Sequence, residues 1–156
     1  MSSHNLALLG GTPVRSQDTP WPKWPSFDDA AKAALVNVLE NTDWWYGDNV
    51  RNFEENYAKF QGVPFCLTTT SGTTALELCV QALDIGPGDE VIVPPFTFFA
   101  TASTVSRMGA KPVFVDIDDS WNIDPDKIEA AITPNTKAIS PVHFSGRICD
   151  MDRINE

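Results

Sequence analysis

Phe65-Cys66-Leu67-Thr68-Thr69-Thr70-Ser71-Gly72-Thr73-Thr74-Ala75-Leu76 carries a β-rich run into a helix start, with a glycine at the bend. The run predicts a strand over residues 65–70, and Ser71 suits the N-cap of a helix over residues 71–83. The alternation repeats downstream. Gly86-Pro87-Gly88-Asp89 reads as a turn. Strands are predicted over residues 90–94, 111–117 and 138–142, with helices over 97–108 and 125–132 and the start of another over 150–156. Repeated strand–helix–strand order is the signature of an α/β fold, a mostly parallel sheet with helices on both faces. Val91-Ile92-Val93 and Val113-Phe114-Val115 are continuously apolar, as strands buried on both faces must be.

Upstream the pattern is different. Residues 1–26 hold Gly10, Gly11, Pro13, Pro20, Pro22 and Pro25. Proline at that density excludes a helix and suits an extended arm. Trp21 and Trp24 in the arm have no local apolar partner, so they are expected to dock, for instance on another subunit. Residues 27–62 predict two amphipathic helices. Asp28 or Asp29 caps the first, with Ala31, Leu35, Val38 and Leu39 at helical spacing; Asp48 or Asn49 starts the second, with Phe53, Tyr57 and Phe60 in a stripe ending at Gly62. Between them Trp44-Trp45-Tyr46-Gly47 either packs inward or lines a binding cleft. Residues 63–156 form the third part, the alternating one.

The chain has 156 residues, 42% of them hydrophobic and 21% charged, which fits a globular domain and argues against wholesale disorder. No apolar run reaches the ~18 residues of a membrane span, and residues 1–9 lack the basic and apolar regions of a signal peptide; a cytoplasmic location is expected. The net charge is -10, and the 11 basic residues are scattered. Nucleic-acid binding needs a basic stripe, and none exists. Cys66, Cys79 and Cys149 form no C-x-x-C pair, so they predict neither a disulfide framework nor a zinc site.

The chemistry points first to the bend at Gly72. Unpaired N–H groups at a helix N-terminus aim at whatever sits there, and the helix dipole adds partial positive charge. Gly72 admits an anion close to the backbone, and Thr73 and Thr74 add hydroxyls. The spacing alone allows two readings: a phosphate cup, or an ordinary serine cap opening a buried, central helix. The helix is apolar almost all round, through Ala75, Leu76, Leu78, Cys79, Val80 and Leu83. Competing phosphate loops, G-x-x-x-x-G-K-[ST] and G-x-G-x-x-G, are absent. Phe96, Phe98 and Phe99 follow the strand at residues 90–94, where α/β sheets bind ligands; one ring stacks on a flat cofactor, or all pack inward. Asp116, Asp118 and Asp119 are read as a solvated turn rather than a Mg²⁺ site. His143 follows a strand as well, either as a site residue or as a hydrogen-bonded structural histidine.

Taken in order, these segments resemble the DegT/DnrJ-type sugar aminotransferases, pyridoxal-phosphate (PLP) enzymes of the aspartate aminotransferase fold. The resemblance rests on Gly10-Gly11-Thr12-Pro13, Phe53-Glu54, Ser71-Gly72-Thr73-Thr74-Ala75-Leu76, Gly86 to Pro94, Thr97-Phe98, Pro112 to Asp116, Thr136-Lys137-Ala138, Pro141-Val142-His143 and Asp150-Met151-Asp152. It implies the N-terminal part of the large PLP-binding domain. It implies that Gly72, Thr73 and Thr74 hold the cofactor phosphate, through backbone N–H groups and the Thr73 hydroxyl, and that Phe98 stacks on the pyridine. Trp45, Tyr46 and His143 fall on the substrate side. Thr74 departs from the usual alanine of the family.

The same resemblance implies an amino-acid donor, a keto-sugar or cyclitol acceptor and a homodimer at full length. The alternatives are a dehydratase or amino-aromatic synthase on the same cofactor, and a truncated, non-catalytic product that needs a complementary chain. The family's Schiff-base lysine and pyridinium aspartate lie downstream of its Pro-Val-His segment. None of Lys23, Lys32, Lys59, Lys111, Lys127 and Lys137 stands in that lysine motif, so the expectation is a domain cut short and inactive alone. Residues 65–70 would then lack neighbouring strands, which makes the segment marginal, sticky or dependent on a partner.

Overall fold

The computed structural model describes residues 6–16, 18–41 and 44–156. Two compact units are present, residues 1–53 and 54–156.

In the first unit the proline-rich arm contains one short 3₁₀ turn, Ala7–Leu9, before the first helix, α1, at Asp29–Glu40. The Asp28 carboxylate accepts the Ala31 N–H at 2.8 Å, an N-cap that satisfies one donor of the first turn. The apolar stripe of α1 is not buried: Leu35 is 69% exposed and Leu39 61%. Helix α2 runs Asp48–Gln61, and its C-terminal turns belong to the second unit.

The second unit holds α3 (Gly72–Ala82), β1 (Glu90–Val93), α4 (Ala100–Arg107), β2 (Lys111–Phe114), β3 (Thr136–Ile139) and α5 (Met151–Asn155). The sheet order is β2-β1-β3, and both pairings are parallel. Side chains of β1 alternate between two cores, because successive strand residues point to opposite faces. Val91 and Val93 pack with Val105 of α4, Ile85 and Ala110. Ile92 packs on the other face with Val115, Ile123 and Ile128, and Ile154 of α5 joins them. Ile92 and Val93 are fully buried, so the central strand is covered on both faces, as its composition requires.

The strands are tied at their N-terminal ends by Glu90. Its carboxylate accepts the Thr133 hydroxyl at 2.6 Å and the Lys111 ammonium at 2.9 Å. One side chain thus links β1 to β2 and to the loop entering β3.

Four expectations are corrected. Residues 65–70 are not a strand: no other strand lies beside them, and strand formation depends on a neighbour more than on propensity. The strand predicted over residues 138–142 lies earlier, at Thr136–Ile139; Ser140 still donates to Ile92 O at 2.8 Å, and Pro141, with no N–H, ends the ladder. The helix predicted over residues 125–132 is a pair of 3₁₀ turns, Pro125–Lys127 and Glu129–Ala131, because so short a segment does not sustain α-helical bonding. Finally, α3 is not central: none of its residues is buried. Among the other elements it packs against α4, where Arg107 meets Glu77 at 3.0 Å. Its Leu76, Cys79 and Val80 side chains line an open cavity of about 250 Å³ with Ile139 and Pro141.

Among the described residues no helix is long and apolar enough to cross a membrane.

Candidate functional site

The bend at Gly72 opens α3. Ser71 is the N-cap in extended conformation, and its hydroxyl oxygen accepts the Thr74 N–H at 3.2 Å. The Thr74 amide is therefore occupied by the cap. The first intrahelical bond runs from Ala75 N–H to Ser71 O at 3.0 Å. The Gly72 and Thr73 N–H groups precede it, and no acceptor within the described hydrogen bonds meets either. A Cβ placed on Gly72 would meet no atom within 4 Å, so space is open at the helix start. Around this opening the hydroxyls cluster. Thr74 Oγ1 lies 3.3 Å from Thr70 Oγ1 and 3.1 Å from Ser71 Oγ, and the Thr69 hydroxyl donates to Ser71 O at 2.8 Å.

The chemistry of this donor set suits an anion of about phosphate size. Two unsatisfied backbone donors, a positive helix end and several rotatable hydroxyls converge on a glycine with free space before it. Thr74 belongs to the hydroxyl cluster, not to the free amides.

The strand ends bear aromatic groups. Phe98 is 66% exposed, and its ring contact is with Phe99, with centroids 4.4 Å apart. Phe96 instead joins a group the sequence did not reveal. Its ring lies 4.9 Å from Trp121 and 4.7 Å from Phe144, so three loops leaving three different strands meet in one aromatic cluster.

His143 is exposed, with a defined orientation. Its Nδ1 accepts the Cys149 N–H at 3.1 Å. An acceptor Nδ1 places the ring proton of the neutral imidazole on Nε2, which then faces outward as a donor. The Cys149 thiol donates to Val142 O at 3.2 Å, and burial pushes that thiol's pKa up.

The aspartates after β2 serve turns. Asp116 accepts the Ile117 N–H at 2.8 Å; that bond and the Lys127 ammonium hold its carboxyl below the ordinary range. The hydroxyl and N–H of Ser120 do the same for Asp118.

Trp45 and Tyr46 lie in the N-terminal unit. Trp45 is 92% exposed. The Arg51 guanidinium lies 5.8 Å from the Tyr46 ring centroid, and Arg51 donates to Tyr46 O at 3.2 Å.

Two residues of the second unit were given no role in the sequence reading, although Phe53-Glu54 was among the segments carrying the resemblance. Glu54 is buried and accepts both the N–H and the hydroxyl of Thr68. Its signal was its place four residues before Ala58, on the one buried face of α2. Asn122 is buried too, with partners far away in sequence, and nothing local announces it.

Residues 25–156 match the sequence profile of the DegT/DnrJ/EryC1/StrS aminotransferase family. The chain belongs to that family. Among its relatives, the 3-amino-5-hydroxybenzoate synthase of Amycolatopsis mediterranei is 46% identical over 137 residues, covering 86% of this chain and 35% of that protein. The UDP-2-acetamido-2-deoxy-3-oxo-D-glucuronate aminotransferase of Pseudomonas aeruginosa is 48% identical over 128 residues, covering 81% of this chain and 36% of that protein. Among solved structures, a 3-amino-5-hydroxybenzoic acid synthase superposes with a TM-score of 0.83 at 45% identity, over 87% of this chain and 36% of that one. A sugar aminotransferase of Streptococcus pneumoniae in its PLP form gives 0.80 at 38% identity, over 84% and 34%. This DegT/DnrJ-family chain therefore spans about a third of the length of the curated relatives it matches, and its parallel sheet with flanking helices is part of the fold of PLP aminotransferases.

Proposed function

We propose that this DegT/DnrJ-family chain forms the phosphate-gripping part of a PLP-dependent aminotransferase, which moves an amino group from an amino acid to a keto-sugar or cyclitol. The observation that carries the reading is the pair of free N–H groups on Gly72 and Thr73 at the open start of α3.

When bound, the cofactor supplies an aldehyde that accepts the amino group and a ring that acts as an electron sink. The residues here do the holding. Gly72 and Thr73 donate backbone N–H groups to the phosphate, and the Thr73 hydroxyl adds a third bond; Thr74 helps fix the hydroxyl cluster around them. Charge-assisted bonds of this type are roughly twice as strong as neutral ones. Phe98, exposed after β1, offers a ring face to the flat pyridine. His143 presents Nε2–H on the substrate side. Trp45 and Tyr46 are proposed for contact with substrate on the family resemblance alone. The likeness to 3-amino-5-hydroxybenzoate synthase favours one second reading, an amino-aromatic synthase using the same cup.

The test compares pyridoxal 5′-phosphate with pyridoxal, which lacks the phosphate, by equilibrium binding to the chain. The phosphate ester is expected to bind at least about tenfold more tightly, from two or three charge-assisted bonds. Equal affinities would remove the cup from the account.

A further inference from the structure

Residues 63–71 cross from the end of α2 to the start of α3 with no strand beside them. Backbone groups in such a segment need partners, and a segment without them wanders. At Thr68 the partner is a side chain. The Glu54 Oε1 atom accepts the Thr68 N–H at 2.7 Å and the Thr68 hydroxyl at 2.8 Å. Two bonds on one oxygen fix both the backbone of Thr68 and the rotamer of its side chain.

The path continues into the cup. The Thr69 hydroxyl donates to Ser71 O at 2.8 Å. That same carbonyl accepts the Ala75 N–H, the first intrahelical bond of α3. Thr68 is thus pinned one residue before Thr69, whose bond to Ser71 O meets the start of α3. Glu54 is only 7% exposed. A carboxylate is costly at such a position, where an apolar residue would pack without desolvation loss. The two bonds to Thr68 offset part of that cost.

We propose that Glu54 is a positioning residue for the phosphate cup, acting as a double hydrogen-bond acceptor for Thr68. This rests on the reading of Gly72 and Thr73 as the phosphate donors. Its negative charge, considered alone, opposes an approaching dianion. The acceptor role and the charge therefore make opposite demands, and a glutamine separates them, because an amide oxygen keeps both lone pairs.

The experiment measures the ratio of pyridoxal to pyridoxal 5′-phosphate dissociation constants for the wild-type chain, Glu54→Gln, Glu54→Ala and Thr68→Val, each checked by thermal melting. A loss of general stability weakens both ligands alike and leaves the ratio in place; misdirected amides lower it. Glu54→Gln is expected to keep the wild-type ratio or raise it. Glu54→Ala is expected to lower it about tenfold, by loss of both bonds at a buried site. Thr68→Val, which loses only the hydroxyl bond, is expected to lower it about threefold. If Glu54→Ala does not fold, the glutamine and valine variants decide. A glutamine variant whose ratio falls below the wild-type value, or a folded valine or alanine variant with an unchanged ratio, overturns the positioning role while leaving the cup. A wild-type ratio near one instead overturns the cup, and the positioning role with it.

Discussion

The Asn122 Oδ1 atom accepts the Phe144 N–H at 3.0 Å, joining two loops 22 residues apart in sequence. The Asn122 amide also donates to Arg147 O at 3.1 Å, and the side chain is 2% exposed. One buried amide therefore fixes both sides of the loop that follows His143. Ser145 within that loop has φ of 52°, a left-handed conformation that needs such support.

Asn122→Ala is expected to cost about 1 kcal/mol, because it leaves the part-buried Phe144 N–H and Arg147 O without the Asn122 side chain. Asn122→Asp keeps the acceptor for Phe144 but loses the donor to Arg147. Urea unfolding of the three proteins measures both. A midpoint for Asn122→Ala equal to wild type would mean that the loop is held elsewhere.

Gly72→Asp separates helix stability from anion binding. Open space surrounds the new Cβ, and a carboxylate in the first turn of α3 complements the dipole by about 0.3–1 kcal/mol. The melting temperature is expected to hold or rise. Affinity for pyridoxal 5′-phosphate is expected to fall to that for pyridoxal, since like charge now meets the phosphate. Retained preference for the phosphate ester would place the anion elsewhere.

Glu90 sets an acid limit on the sheet. The Thr133 hydroxyl first, and then the Lys111 ammonium, hold its folded pKa below the ordinary 4.5. A carboxyl group with a depressed folded pKa stabilises the protein fully above its unfolded value. That contribution is lost as pH falls through the folded value. Below pH 4.5 the wild type is expected to lose stability more steeply than Glu90→Gln. Parallel acid limbs in denaturant titrations at stepped pH would show that the Thr133 and Lys111 bonds contribute nothing.

The cysteines differ in reach. Cys79 is exposed and Cys149 is buried, and burial raises the Cys149 thiol pKa, which lowers its thiolate fraction. Iodoacetamide at neutral pH is expected to alkylate Cys79 first and Cys149 only on unfolding. Mass spectrometry of timed digests reads the order, and early labelling of Cys149 would contradict the packing around Val142.

What the sequence disclosed and what it hid follow physical lines. β1 was legible because Val91-Ile92-Val93 is apolar without alternation and is covered on both faces; the same reading failed at β2, where Phe114 is 58% exposed. The Ser71 N-cap was legible, and that of α1 to within a residue, Asp28 or Asp29, because capping is local chemistry. Residues 65–70 have strand composition and no strand, since a ladder needs a neighbour that composition does not report. The apolar girth of α3 shows only that its faces require cover, not that they receive it. At the site, the glycine bend and the threonines were readable. That the Ser71 cap takes the Thr74 amide follows from the N-cap reading too, although the resemblance had given that amide to the phosphate. Phe96, Trp121 and Phe144 come together only once the strands are registered, and Glu54 finds Thr68 only once α2 is placed.

The central claim is that the first amides of α3 grip a phosphate. The most direct measurement follows the backbone amide resonances of Gly72 and Thr73 in the ¹⁵N-labelled chain during titration with pyridoxal 5′-phosphate and, separately, with pyridoxal. The account expects both amides to shift with the phosphate ester and to stay in place with pyridoxal. Amides that ignore the ester, or that respond equally to both compounds, would contradict it.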